Sequence, residues 1–154
     1  MIKMFRSILC LSRLSIIVLI IPNDIVVWPI VDINIYLKYA SKPLGRYKEY
    51  RFTFNKDNLD ELRTLKELKM RLFICLICVF SGQICCVPYS TLIKLINQRI
   101  NKKGKDEDNY TIIATLPFRR SFQIYMNSPK RKNIMIGEMI IPQDNYLKIL
   151  FQES

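Results

Sequence analysis

The sequence predicts a mixed α+β fold, in which an N-terminal apolar segment precedes a two-stranded hairpin, a central helical pair and a C-terminal antiparallel meander. Three patterns lead to this expectation. Apolar and polar residues alternate over residues 31–39 and 47–54, leucines recur at helical spacing from residue 59, and alternating runs return beyond residue 105. We expect residues 1–24 to form an apolar anchor or leader and residues 25–154 to form a basic α+β domain.

The N-terminal segment joins basic residues to an apolar run. Lys3, Arg6 and Arg13 are basic, no acidic residue precedes Asp24, and residues 8–21 are mostly apolar. This pattern is typical of a signal anchor, or of a mitochondrial presequence, while the alternative is a buried first element of the domain. It predicts a membrane location, in the endoplasmic reticulum or mitochondria, with a transmembrane helix whose membrane-contacting residues are Ile16, Ile17, Val18, Leu19, Ile20 and Ile21.

Two alternating runs follow this segment. Over residues 31–39, Ile33, Ile35 and Leu37 face one way and the polar residues between them face the other. Residues 41–45 contain Pro43 and Gly45 and are typical of a turn. Residues 47–54 alternate again and place aromatic side chains on one face, so we expect the two runs to pair as a hairpin.

The next stretch has the pattern of an amphipathic helix. Asn58 followed by Glu61 resembles a capping box at its start. Apolar side chains then recur at spacings of three and four, with charged residues between them: Leu59, Leu62, Leu65, Leu68 and Leu72. We expect the C-terminal sheet to pack against this leucine-rich face.

Residues 72–93 contain no charged residue and allow two interpretations. Their length is close to the roughly 20 residues of a membrane-spanning helix, which would make the chain a two-span membrane protein. The interpretation we favour is a buried helix as far as Phe80, a turn at Gly82 and a second helix that begins at Ser90. That helix ends at Gly104, where glycine and the preceding lysines favour a C-terminus.

The last third of the chain has the strongest strand pattern. Residues 111–116, 121–126 and 133–141 are separated by short links that contain Pro117 and Pro129. Three consecutive strands with short links predict an antiparallel meander.

The composition excludes several chemistries. The chain has no histidine, which rules out catalytic triads and zinc sites that use it. Cys75, Cys78, Cys85 and Cys86 lie in one apolar run, with Cys10 apart. Their spacing suggests zinc binding only weakly, because the second pair is adjacent, so we expect reduced thiols that pack as small hydrophobic groups. We predict no catalytic residues, no metal, no cofactor and no small-molecule substrate, and therefore no enzyme.

The charge predicts an anionic partner. Lysine and arginine number 24 against 13 acidic residues, which gives a net charge of +11. In a meander, the loop before its first strand lies at the same end as the turn after its second. A candidate anion-binding cluster therefore comprises Lys102, Lys103, Lys105, Lys130, Arg131 and Lys132. The leading hypothesis is a non-enzymatic, membrane-associated basic protein that docks on an anionic partner, either phospholipid headgroups or nucleic acid. The alternatives are a soluble nucleic-acid-binding module and the two-span membrane protein.

Overall fold

The part of the chain that the structure describes has a mixed α+β fold of two sheets, two α-helices and an N-terminal β-hairpin. The structure is a computed structural model that describes residues 15–21, 24–30, 33–68, 71–117, 121–129, 131–143, 145, 146 and 148. In chain order, its elements are β1 (Ser15–Ile21), β2 (Asp24–Ile30), β3 (Ile33–Ala40), β4 (Tyr50–Asn55), α1 (Lys56–Glu67), β5 (Arg71–Cys78), β6 (Gln83–Pro88), α2 (Tyr89–Lys103), β7 (Asn109–Thr115), β8 (Phe122–Ser128) and β9 (Arg131–Ile141).

The strands of the two main sheets are interleaved along the chain. One sheet has the order β3-β5-β6, with β3 parallel to β5 and β5 antiparallel to β6. The other has the order β4-β7-β8-β9 and is antiparallel throughout. Among the described strands, β1 and β2 pair only with each other, and β1 lies against β3.

A single hydrophobic core joins the inner faces of both sheets to both helices. Helix α1 contributes the fully buried Leu62, and α2 contributes Leu92 and Leu95. The sheets contribute alternate residues of each strand, among them Phe52, Phe54, Ile74, Leu76, Ile112 and Ile124. The amphipathic pattern of α1 is thus confirmed, although Leu68 at its end is 48 % exposed.

The hairpin expected from the first two alternating runs is wrong. Both runs are strands, but β3 pairs with β5 and β4 pairs with β7. Within the loop that connects β3 to β4, a single isolated β-bridge pairs Leu44 with Glu49. The parallel pairing with β5 carries β3 into one sheet, whereas the aromatic face of β4 enters the core beside β7.

Helix α1 starts three residues earlier than the sequence suggests. The N-cap is Asn55, whose side chain accepts a hydrogen bond from the Asn58 backbone N–H at 2.9 Å. Asn58 in turn accepts from the Asn55 backbone N–H, which completes a capping box. Asn58 is therefore the third helical residue of this box, and its buried side chain also accepts a hydrogen bond from Lys38.

The predicted buried helix over residues 72–80 is also wrong. This segment is β5, which turns at Val79–Gly82 and returns as β6. A central strand is covered on both faces, so a continuous apolar run suits it as well as it suits a buried helix. The second helix is confirmed, since α2 covers Tyr89–Lys103 and Gly104 caps it in the left-handed conformation.

None of the helices that the structure describes is both long enough and apolar enough to cross a membrane.

The C-terminal meander is confirmed and contains a bulge. Strands β7, β8 and β9 pair consecutively in antiparallel fashion. Between the pairs Ile124–Met139 and Met126–Ile136, two residues of β9 oppose Tyr125 alone. The first of these two residues is Gly137, which has φ +66° and lies directly against α2.

Candidate docking surface

The outer face of the β3-β5-β6 sheet is apolar. Strand pairing places its residues in rows: Ile35 with Phe73 and Pro88, Leu37 with Cys75 and Cys86, and Tyr39 with Ile77 and Ile84. The inner face of β3 instead carries Asn34, Tyr36 and Lys38, which hydrogen-bond to α1.

The more polar face of β3 therefore meets the helix, and its apolar face is left partly open. Tyr36 is 6 % exposed because its ring joins the core while its hydroxyl donates to Glu61 at 2.8 Å. On the other face, Leu37 is 52 % exposed and Tyr39 is 53 % exposed. The alternation of the strand is as expected, but the hydrophobic pattern alone would assign the buried face to the wrong side.

Large exposed apolar side chains gather at one end of this sheet. Because β3 and β5 are parallel, the loop after β3 and the turn after β5 lie at the same end of the sheet. A hydrogen bond from the Phe80 N–H to the Ser41 carbonyl joins them at 3.1 Å. Tyr47 is 74 % exposed and Phe80 is 73 % exposed. The other half-exposed apolar side chains of this end are Leu37, Tyr39, Leu44 and Val79.

The same loop carries exposed cations. Lys42, Arg46 and Lys48 are all exposed. The loop's one acidic residue, Glu49, accepts hydrogen bonds from Arg51 at 2.8 Å and from the Tyr125 hydroxyl at 3.0 Å. Burial, together with this carboxylate, raises the pKa of Tyr125. These three cations and the six apolar residues of the preceding paragraph are called the basic-apolar end below.

The predicted anion-binding cluster is divided by the limits of the described structure. Lys102 and Lys103 occupy the last turn of α2, and Lys105 follows its glycine cap. Lys130 lies outside the described residues. Arg131 and Lys132 form the start of β9, and their side chains lie outside the described part of the structure.

Among the described lysines of that cluster, Lys103 is compensated by an acid, Glu107. Glu107 accepts hydrogen bonds from Arg99 and Lys103, and Arg99 also donates to the Asn127 carbonyl in the β8–β9 region. The Arg99 hydrogen bond, helped by Lys103, lowers the pKa of Glu107 from 4.5 to about 2. The same ion pair raises the pKa of Arg99. Asp106 lies alongside, and its hydrogen bond from the Tyr110 hydroxyl lowers the pKa of this carboxyl group.

This region does bring the end of α2 to the β8–β9 turn. A cleft of about 280 Å³ is lined by Arg99, Lys102, Lys103 and Pro129. Two of its three cations are already paired with Glu107, whereas Lys102 makes no ion pair within the described chain. The cleft is therefore less cationic than the residue names suggest.

The four clustered cysteines cannot converge on one metal ion. Cys75 and Cys86 face each other on the outer side of the sheet and form a disulfide. Cys78 and Cys85 lie on the inner side, buried and free. The expectation of reduced thiols is therefore wrong for the first pair and right for the second. The described residues contain no group of acidic or cysteine side chains suited to a metal.

The sequence interpretation missed the basic-apolar end. The predicted turn over residues 41–45 contained Lys42 alone, while Lys48 fell in the predicted strand over residues 47–54, with Arg46 between the two. Phe80 was assigned to a buried helix. Gly82 could have indicated this site. A glycine between two apolar runs that contain Ile and Val is typical of a hairpin turn as well as of a helix end. The residues assigned to membrane contact, Ile16–Ile21, belong to β1, and their side chains are outside the described part of the structure.

No protein family model matches the chain, and searches for a similar curated protein or solved structure find none.

Proposed function

We propose that the chain is a non-enzymatic, membrane-associated protein that docks on anionic phospholipid headgroups through its basic-apolar end. The observation that carries the proposal is the coincidence, in one loop region, of exposed aromatic side chains and cations that form no ion pair within the described residues. Tyr47 lies between Arg46 and Lys48 in the sequence and is 74 % exposed. Aromatic rings partition into the interface of a bilayer, and each nearby cation adds about 1 kcal/mol of attraction to an anionic surface.

The apolar composition of the N-terminal segment supports the same location. Strand β1 lies against β3, the strand whose outer face is open at Leu37 and Tyr39. We propose that Ile16–Ile21 contribute apolar contact with the membrane, while the basic-apolar end selects anionic lipid. Of the two cationic regions, the loop suits this role better because Glu107 neutralises much of the charge near Lys103.

Vesicle co-sedimentation tests the charge requirement. The full chain is mixed with phosphatidylcholine vesicles that contain or lack phosphatidylserine. The variant Lys42→Gln/Arg46→Gln/Lys48→Gln should bind anionic vesicles at least roughly tenfold more weakly, because three headgroup attractions are lost. The matched control Lys56→Gln/Lys66→Gln/Lys94→Gln removes equal charge from exposed positions elsewhere and should bind more nearly like the parent.

A second pair of variants tests the apolar requirement. Tyr47→Ser/Phe80→Ser should bind anionic vesicles more weakly than the parent chain, even at low salt. The matched control Leu68→Ser/Ile140→Ser also removes two exposed apolar side chains and should bind like the parent. Equal loss in both pairs, or no binding by the parent chain, would refute the docking surface. Binding to single-stranded RNA or DNA with a steep salt dependence, and none to vesicles, would instead identify the nucleic-acid-binding alternative.

Fractionation of cell membranes separates docking from anchoring. Release by high salt or carbonate is the expected result if the basic-apolar end acts alone. Retention until detergent is added would assign the membrane attachment to the N-terminal segment. Recovery in the soluble fraction without any treatment would contradict both.

A further inference from the structure

The hairpin tip of the basic-apolar end is enclosed by a covalent ring. Cys75 and Cys86 are direct partners across the β5–β6 pair, and their disulfide closes the segment between them, with a sequence separation of 11. The tip of that segment carries Val79 and Phe80, which are 50 % and 73 % exposed. The hydrogen bond from Phe80 to Ser41 then connects the ring to the cationic loop.

The sheet separates this disulfide from the two other cysteines of the hairpin. Cys78 and Cys85 are buried in the main core, on the opposite face. Desolvation raises the pKa of Cys78 to about 12, and burial likewise raises the pKa of Cys85. Both therefore remain thiols, and thiols do not attack disulfides. Neither of these two thiols can therefore open the Cys75–Cys86 pair, whereas an external reductant can.

We propose that Cys75 and Cys86 form a reversible redox pair that regulates docking: the disulfide holds the tip in its binding conformation, and reduction loosens it. The inference rests on the proposed function, because the regulated site is the basic-apolar end. Binding by a pre-organised surface loses less conformational entropy than binding by a mobile one. Reduction should therefore weaken docking without removing any side chain from the surface.

The chemical step uses an external dithiol. Its thiolate attacks one sulfur of the Cys75–Cys86 bond, which breaks as a mixed disulfide forms and the other cysteine leaves as a thiolate. The second thiol of the reductant then closes its own disulfide and releases the remaining cysteine. Cys75 and Cys86 gain two electrons and two protons, and the dithiol loses the same. Because both residues are almost fully buried, we expect this exchange to require local opening of the outer face.

The state of the pair can be established by alkylation and mass spectrometry. Denatured, unreduced protein should be alkylated at Cys78 and Cys85 but not at Cys75 or Cys86. After dithiothreitol treatment, all four should react. Alkylation of Cys75 and Cys86 without reductant would overturn the proposal.

Vesicle binding then measures the regulation. Reduced parent chain should bind anionic vesicles roughly threefold or more weakly than oxidised parent chain. The variant Cys75→Ala/Cys86→Ala should match the reduced form and show no response to dithiothreitol, with circular dichroism to verify its fold. Equal binding by oxidised and reduced parent chain would refute the redox inference and leave docking intact. Absence of binding by the oxidised chain would instead refute the proposed function.

Discussion

Replacing Gly137 with alanine should destabilise the protein far more than an alanine at any of the open turns. At φ +66°, an added Cβ would lie 2.2 Å from Oε1 of Gln98 and 2.5 Å from Cδ2 of Leu95. Gln98 has a flexible end that can move aside. Leu95 is fully buried in the core and has little room to shift. The bulge of β9 therefore packs on α2 at a distance that only glycine allows.

Two separate contributions make up the expected cost. The left-handed backbone conformation costs an alanine about 1–2 kcal/mol. Overpacking against the helix adds about 1–3 kcal/mol. Gly45→Ala is the matched control, since Gly45 has φ +67° and nothing within 4 Å of its added Cβ. The control includes the backbone cost and the reduced entropy of the unfolded chain, so the difference between the two variants isolates the contact with α2.

Urea denaturation followed by circular dichroism gives both free energies of unfolding. Gly137→Ala should lose about 1–3 kcal/mol more than Gly45→Ala. Gln98→Ala should recover part of that loss in the double variant, because it removes the nearer contact. It also removes an oxygen that is buried without a hydrogen-bond partner among the described residues. Equal destabilisation by the two glycine substitutions would show that β9 does not approach α2 in this way.

Three further outcomes are expected. Reducing the Cys75–Cys86 disulfide should lower the free energy of unfolding by about 3 kcal/mol, as the loop length implies, and urea titrations with and without dithiothreitol measure this. The pKa of Glu107 is lowered in the folded state, so its stabilisation is complete above its ordinary pKa of 4.5 and is lost as the pH falls towards about 2. Glu107→Gln should therefore lose less stability than the parent between these pH values, and similar acid titrations would contradict the ion pair. Asn55→Ala should lower the free energy of unfolding by about 1 kcal/mol through loss of the N-cap, and an unchanged melting temperature would exclude the capping box.

The elements that follow from local pattern are those that the sequence predicts correctly. Helix α1 has leucines at helical spacing, α2 ends at a glycine after two lysines, and the meander has prolines in its links. Each of these signals lies within the element itself. Even so, the predicted start of α1 lies three residues too late. Asn55 and Asn58 are both suitable N-cap residues, and in the structure Asn55 is the N-cap while Asn58 is the third residue of the helix.

Strand partnership could not be predicted in the same way. The first two strands look like a hairpin because they are adjacent and alternate, yet β3 is completed by β5, about 38 residues further along. Whether β3 pairs with β4 or with β5 depends on how β3, β5 and α1 bury one another, and the sequence of one segment alone does not contain this information. The basic-apolar end depends on the same pairing, because it brings Phe80 to Ser41. Because the predicted strand pairing was wrong, the sequence could not predict this site.

Strand β4 of the four-stranded sheet lies in sequence between β3 and β5 of the three-stranded sheet, and this order determines how the protein can be cleaved and unfolded. The three-stranded sheet is complete only with residues from 33 to 88, and the four-stranded sheet only with residues from 50 to 141. These intervals overlap, so any single cut between positions 50 and 88 severs strands of both sheets from their partners. We expect neither half to survive limited proteolysis as an independently folded fragment, and the two sheets to unfold together in a single transition.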